Sequence, residues 1–392
     1  MTDRKDDPIR AEIPERQRRI REEMAKRNIG ALILTSRANF EYFTGFKSMF
    51  WASTTRPFYA VIVPDRTSST ILVHLSEERS SAFDPGNSKF IFYTVFLHDA
   101  LRTLVETVAK QAPSAKQIAI DYGADMFGRG SLALVESLRD LPARPQVVEA
   151  DEMIWAVRMI KSEYEIEMKR RACHIATESF FAALKGLTLG QTEKDFGRAI
   201  TIEMLNRGAD YVDFLPVHFG KSKLPYLCPP SDRRLEQDDF IWVDMGCVYN
   251  DYHSDLNRIA KAGKISEFEH TAYRFVREVT IELAKRVRPG MPCPDVVREF
   301  EKLWAPGAFG KPYGHAARIG HGSGMGLTEP PSLMESSTEI IQPGMILHLE
   351  PKIETDSGVF QVEEVFVVRQ NGTEFLSDLA PETLPSVPVS KS

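Results

Sequence analysis

Phe240-Ile241-Trp242-Val243-Asp244-Met245-Gly246 is an apolar run closed by a carboxylate and a glycine, and Asp255 follows eleven positions later within Tyr252-His253-Ser254-Asp255-Leu256-Asn257-Arg258. The run reads as a buried strand, and an acid at its end is either a turn residue or a ligand. Three more side chains pose the same choice. His321 lies among glycines in Ile319-Gly320-His321-Gly322-Ser323-Gly324. Glu350 closes Pro343-Gly344-Met345-Ile346-Leu347-His348-Leu349-Glu350-Pro351, and Glu363 opens a β-rich run ending before Asn371-Gly372. Singly, each has an ordinary reading: Asp255 in a surface ion pair with Arg258, His321 in a loop, Glu363 on an exposed edge. Glu350 fits that account least, because a charged residue ending a hydrophobic strand wants a partner. Together, four carboxylates and one imidazole on buried strands carry a desolvation cost on the order of several kcal/mol per charge unless a cation offsets it. Donors this rich in oxygen suit Mn²⁺, Fe²⁺, Co²⁺ or Zn²⁺, and the shortage of cysteine argues against a structural zinc knot. A pair of such ions clamps and activates a water between them.

The order of these elements (Asp, Asp, Gly-His-Gly-x-Gly, Pro-Gly-Met to Glu-Pro, and a strand Glu before Asn-Gly) resembles the pita-bread metallopeptidase family of methionine aminopeptidase, prolidase, aminopeptidase P and creatinase. The resemblance runs from about Ile13 to about Pro381. It takes in Ala38-Asn39-Phe40-Glu41-Tyr42-Phe43-Thr44-Gly45-Phe46 and Arg56-Pro57-Phe58, which look like the family's opening strands, and the junction Met159-Ile160-Lys161-Ser162-Glu163-Tyr164-Glu165-Ile166. It implies an α/β creatinase-like N-terminal domain over residues 1–155 and an α+β pita-bread catalytic domain over 156–385. It also implies a homodimer and two divalent ions held by Asp244, Asp255, His321, Glu350 and Glu363. Glu364 is the adjacent alternative to Glu363, since only one of two strand neighbours can face the site. The activity implied is hydrolysis of a C–N bond in a small Xaa-Pro peptide, with Glu350 or Glu329 shuttling the proton.

Two departures bear on that activity. Peptidases of the family carry one further histidine upstream of the first Asp and another seven residues after the metal His. Here those positions hold Tyr226 (or Leu227, in an ungapped count) and Thr328. Either hydroxyl could bind substrate in place of an imidazole, or simply pack. Relatives that act on other molecules vary the same surroundings, so a small amide, an amidine or a compatible solute is the alternative substrate, by hydrolysis or by a lyase reaction with Tyr226 as base. A non-catalytic binding scaffold is a third reading, though such relatives have lost ligands or gained charged tails. His218 and His315 are candidate proton carriers or substrate contacts, and Glu329 a candidate general acid. Trp51 and Arg56 are candidate substrate contacts, because relatives close the site with residues of a partner's N-terminal domain; arginine suits a carboxylate.

The rest of the chain agrees. With 392 residues, 43% apolar and 27% charged, it reads as an ordinary globular protein of two or three domains. A net charge of −6 offers no basic footprint for nucleic acid. The charged start from Met1 to Arg10 and the lack of a long apolar run suggest neither signal peptide nor membrane span, and four scattered cysteines suggest a cytoplasmic protein. Periodicity places a helix over 14–27, strands over 31–35, 58–63, 69–73, 117–121 and 146–149, and a helix near 131–137. Ser162 and Glu165 form a capping box that opens a long helix to about Lys185, and Ser266 with Glu269 opens a second. After each helix comes a similar phrase, Leu189-Gly190-Gln191-Thr192-x-x-Asp195 and Pro289-Gly290-Met291-Pro292-x-x-Asp295. Such a repeat arises from common helix grammar or from two related halves; the ligand order favours the halves.

Overall fold

The computed structural model describes residues 8–126, 128, 131–307, 309–310, 312, 318–356 and 358–388. The chain divides into two compact units, Met1–Arg158 and Met159–Ser392.

The first unit is α/β. Its six strands run in the order 89–93, 70–74, 59–62, 31–34, 117–120 and 146–149. Ala31–Leu34 lies at the centre, antiparallel to Tyr59–Ile62 and parallel to Gln117–Ile120. All four of its residues are buried, as expected for a strand covered on both faces. Asp121, at the end of a neighbouring strand, accepts hydrogen bonds from Thr35 N, Thr35 Oγ1, Ser36 N and Asn39 Nδ2. That turn corrects one expectation: 38–46 is no strand, because Arg37–Thr44 is a helix. Ser36 accepts from Asn39 N as its N-cap, and this local bond outweighs the aromatic, β-prone composition.

The second unit sets two helix pairs against curved sheets. Glu163–Lys185 and Glu193–Asn206 form one pair, Glu267–Arg286 and Cys293–Trp304 the other. Capping boxes start three of these helices, at Ser162 with Glu165, Thr192 with Asp195, and Ser266 with Glu269. Glu267–Arg286 buries Ala272, Tyr273, Val276, Val279, Thr280 and Leu283, a helical stripe that packs on Leu347, Val359 and Phe366. One sheet holds 217–220, 240–244, 257–262 and 386–387; another holds 321–322, 329–332, 346–349, 364–369 and 372–375. Register pairs Asp244 with Asn257 in the first and Leu349 with Glu364 in the second. Three-stranded (211–214, 246–249, 252–253) and two-stranded (352–355, 358–361) pieces complete the unit.

Candidate metal centre

Asp244 ends the strand Phe240–Asp244, and Asp255 lies in the link between the short strand Tyr252–His253 and Asn257–Ala262. His321 begins a short strand, Glu350 directly follows Ile346–Leu349, and Glu363 directly precedes Glu364–Arg369. Strand pairing brings these ends to one place. His321 Nε2 is 3.5 Å from Asp255 Oδ2 and 3.6 Å from Glu350 Oε1. His321 Nδ1 donates to Gly322 O at 2.9 Å, which leaves the Nε2 lone pair facing the carboxylates. Of the two adjacent glutamates, Glu363 faces the cluster. Glu364 turns away to Arg258 Nη2, Ser377 Oγ and Ala380 N.

The cluster holds its charge at a cost. Burial and the nearby Glu350 push the Asp244 carboxyl up to about 7, and burial with neighbouring carboxylates drives Asp255 and Glu363 well above the usual range. Burial lowers His321 to about 3. Asp244 Oδ1 is buried without a hydrogen-bond partner. Four converging carboxylates, a neutral imidazole with a free lone pair and an orphaned carboxylate oxygen fit a divalent cation, which relieves the repulsion and meets the orphan.

One residue of the centre was not anticipated. His348 stacks on His321 at 4.7 Å between ring centroids. Its Nδ1 donates to Glu363 Oε1 at 2.7 Å, while Ser323 Oγ meets its Nε2 at 2.7 Å. A donor atom from each of Asp255, His321, His348 and Glu363 lies within 4.8 Å of the others. With both nitrogens engaged by protein, His348 orients Glu363, whose second oxygen accepts from Asn257 N at 2.9 Å. Alternation in Leu347-His348-Leu349-Glu350 was the available signal, since residues two apart on a strand share a face.

The other candidates scatter. Tyr226 donates from its hydroxyl to Glu354 Oε2 at 3.0 Å and meets Trp242 edge-on at 5.0 Å. Lys352, also unanticipated, places Nζ 3.3 Å from the Tyr226 ring centroid. His218 stacks on Trp242, with Nδ1 3.6 Å from Glu193 Oε1. Thr328 is exposed and its side chain makes no hydrogen bond among the described residues. Glu329 is buried, paired with Lys161 Nζ at 3.2 Å, and accepts from Gly326 N at 2.9 Å, contacts that tie the loop to the start of the unit. Trp51 is 5% exposed, stacked on Phe58 and edge-on to Phe40 in the core of the first unit, an environment of packing. Arg56 lies over the Phe50 ring at 4.7 Å. His315 lies outside the described residues.

Known proteins share this architecture. Residues 167–370 match the model of metallopeptidase family M24, and residues 16–160 that of the creatinase/prolidase N-terminal domain. The Xaa-Pro dipeptidase of Pyrococcus furiosus is 27% identical over 263 residues, 66% of this chain and 74% of that protein. The crystal structure of the prolidase from Pyrococcus horikoshii has a TM-score of 0.80 at 23% identity, covering 94% of this chain and 100% of its own. That of an X-Pro aminopeptidase from Thermotoga maritima has a TM-score of 0.79 at 22% identity, covering 95% and 99%. These likenesses carry the pita-bread fold. With just over half of its length inside the family's pattern and metal-ligand chemistry gathered at the ends of its strands, the chain belongs to metallopeptidase family M24 and is a metal-dependent hydrolase.

Proposed function

We propose that the chain hydrolyses the C–N bond of small Xaa-Pro peptides, with two divalent ions, Mn²⁺, Fe²⁺, Co²⁺ or Zn²⁺, held by Asp244, Asp255, His321, Glu350 and Glu363. The observation that carries this reading is the approach of His321 Nε2 to Asp255 and Glu350 beside two further buried carboxylates. The Xaa-Pro dipeptidase and prolidase relatives support the substrate. When bound, the ions supply Lewis acidity for the scissile carbonyl and lower the pKa of the attacking water.

The protein's own side chains do the rest. Glu350, with a quarter of its side chain accessible, takes a proton from the attacking water at its carboxylate and returns it to the leaving nitrogen. His348 and the Asn257 amide hold both oxygens of Glu363, and Ser323 holds His348 in the tautomer that donates from Nδ1. Trp242, two residues before Asp244 on one strand and so on the same face, packs against Tyr226 and makes an aromatic wall on that face. Glu329 takes no part in proton transfer, because Lys161 holds its carboxylate.

A second reading, hydrolysis of a small non-peptide amide, is favoured by Tyr226 and Thr328 standing where imidazoles are expected. The lyase variant loses ground because the Tyr226 hydroxyl is already a donor to Glu354. A homodimer is part of the proposal; the exposed Met49, Phe83, Val95 and Phe96 of the first unit support it.

The test is release of free proline from a panel of Xaa-Pro dipeptides and longer peptides by protein stripped and reloaded with Mn²⁺. Turnover abolished in a folded Glu350→Ala protein is the expected result. Undiminished turnover in that variant sinks the assignment, and a metal-replete wild type that cleaves none of the panel shifts the reading to the small amide.

A further inference from the structure

The helix Glu163–Lys185 buries a stripe of side chains spaced three and four residues apart, Ile166, Lys169, Cys173, Ala176 and Phe180. Ile166, Cys173, Ala176 and Phe180 belong to one apolar cluster with Val243 and Leu256, the chain neighbours of Asp244 and Asp255. Lys169 is the exception in that stripe, with 0% of its surface exposed. An ammonium buried there carries a desolvation cost that only hydrogen bonds or opposite charge can offset. It has three protons to donate, yet its hydrogen bond among the described residues goes to a single carbonyl, His253 O at 2.6 Å, two residues before Asp255. It forms no ion pair among those residues. Burial pulls the ammonium below the ordinary lysine value, and Cys173, Asp255 and Glu363 act to hold it up. The same charge acts to lower the Asp255 carboxyl and the His321 and His348 imidazoles. Lys169 thus stands on the helix side of the centre, its field on the candidate ligands and its ammonium paired to none of them.

Two divalent ions match the charge of the four carboxylates Asp244, Asp255, Glu350 and Glu363 when these are ionised. Beside the metal-free centre Lys169 faces that negative charge in full, whereas beside the loaded centre it faces little net charge. A fixed cation therefore stabilises the metal-free form more than the loaded one, and the difference weakens the binding of the ions. We propose that Lys169 is a resident counter-charge of the centre, which holds the buried carboxylates together in the metal-free protein and lowers their affinity for divalent ions. The ions are then exchangeable rather than locked in. The proposal rests on the metal-dependent reading for its ligand. A purely mechanical role has the opposite sign: if Lys169 only anchored the His253 carbonyl, losing it would loosen the segment before Asp255 and weaken metal binding.

The experiment measures Mn²⁺ affinity on the stripped full chain, by competition with a chelator of known affinity, for wild type and Lys169→Met. The variant keeps an apolar stem and loses the charge, and should bind Mn²⁺ roughly tenfold tighter or more, the scale of one unit charge acting across a protein interior. An affinity that is unchanged or weakened overturns the proposal. Urea denaturation of the metal-free protein gives a second reading through a cycle with Asp255→Asn. Lys169→Met should lower the midpoint where Asp255 is present, and spare or raise it in the Asp255→Asn background. Equal shifts in the two backgrounds overturn the proposal. If Lys169→Met does not fold by itself, adding Asp255→Asn should restore folding, and a double variant that also fails to fold overturns it. A wild type that takes up no Mn²⁺ defeats the metal reading separately, and the denaturation cycle then decides on the counter-charge by itself.

Discussion

Two strands of the second unit end alike and differ one step earlier. Phe240–Asp244 finishes on a carboxylate with Trp242 two residues before it, while Ile346–Leu349 runs into Glu350 with His348 two residues before it. Each strand follows a loop anchored in the same way. In one half Gly190 N donates to Leu235 O and Leu235 N to Gln191 O, both at 2.9 Å; in the other Gly290 N donates to Ile341 O and Ile341 N to Met291 O, both at 2.8 Å. Trp242 gives its Nε1–H to Gln361 Oε1 and its faces to Tyr226 and His218, whereas His348 gives both nitrogens to the support of Glu363. A repeated scaffold thus sets where the acids stand. The residue two positions back decides whether that half shapes a wall or positions a ligand.

The sharpest way to break this division is to remove each partner's polar contact and keep its ring. His348→Phe should weaken divalent-ion affinity by roughly 10- to 100-fold, the usual effect of losing a residue that orients a ligand. Trp242→Phe should leave that affinity within about twofold, because its indole supports no ligand directly. Competition against a chelator of known affinity reads both, and equal losses would dissolve the distinction.

A smaller effect concerns the anchor peculiar to the first half. Glu193 accepts from Phe219 N, Ser231 N and Ser231 Oγ beside His218. Burial raises its carboxyl, but the hydrogen bonds from His218, Ser231 and Phe219 outweigh burial and hold it at about 2. A depressed acid stabilises the folded state above its unfolded pKa of about 4.5 and loses that contribution as the pH falls through about 2. Chemical denaturation should therefore show wild type more stable than Glu193→Gln at pH 6, with the gap closing between pH 4.5 and 2. A gap independent of pH would mean that the side chain acts through packing.

The smallest effect tests the sameness of the halves. Gly190 and Gly290 have φ of +83° and +84°, and a Cβ at either would meet nothing within 4 Å. Alanine at either position should cost about 1 kcal/mol through backbone strain alone. Matching losses in urea denaturation support a shared loop, and losses differing by more than about twofold would show that the anchors are not equivalent.

The fold was largely legible because it rests on local chemistry. Capping boxes at Ser162, Thr192 and Ser266, and Gly-led phrases after two helices, act over a few residues and can be read in order. The residues proposed as ligands were legible as a pattern of spaced acids around one histidine. His348 was missed because its importance comes from register, with Leu349 opposite Glu364 and the His348 ring beside Glu363. Glu329 misled for a similar reason, since its partner Lys161 lies far away in sequence. Arg37–Thr44 misled because the resemblance suggested a strand there, while the Ser36 cap starts a helix.

The wall beside Asp244 has an optical consequence. Trp242 touches Tyr226 and His218 and hydrogen-bonds Gln361, itself linked to the Glu350 carbonyl at 3.5 Å. An indole so placed is a native emitter at the edge of the centre, within quenching range of a paramagnetic ion such as Mn²⁺ or Co²⁺. Loading the protein with either ion should dim this emission, and a diamagnetic ion such as Zn²⁺ should dim it less, so occupancy can be followed in real time without a label.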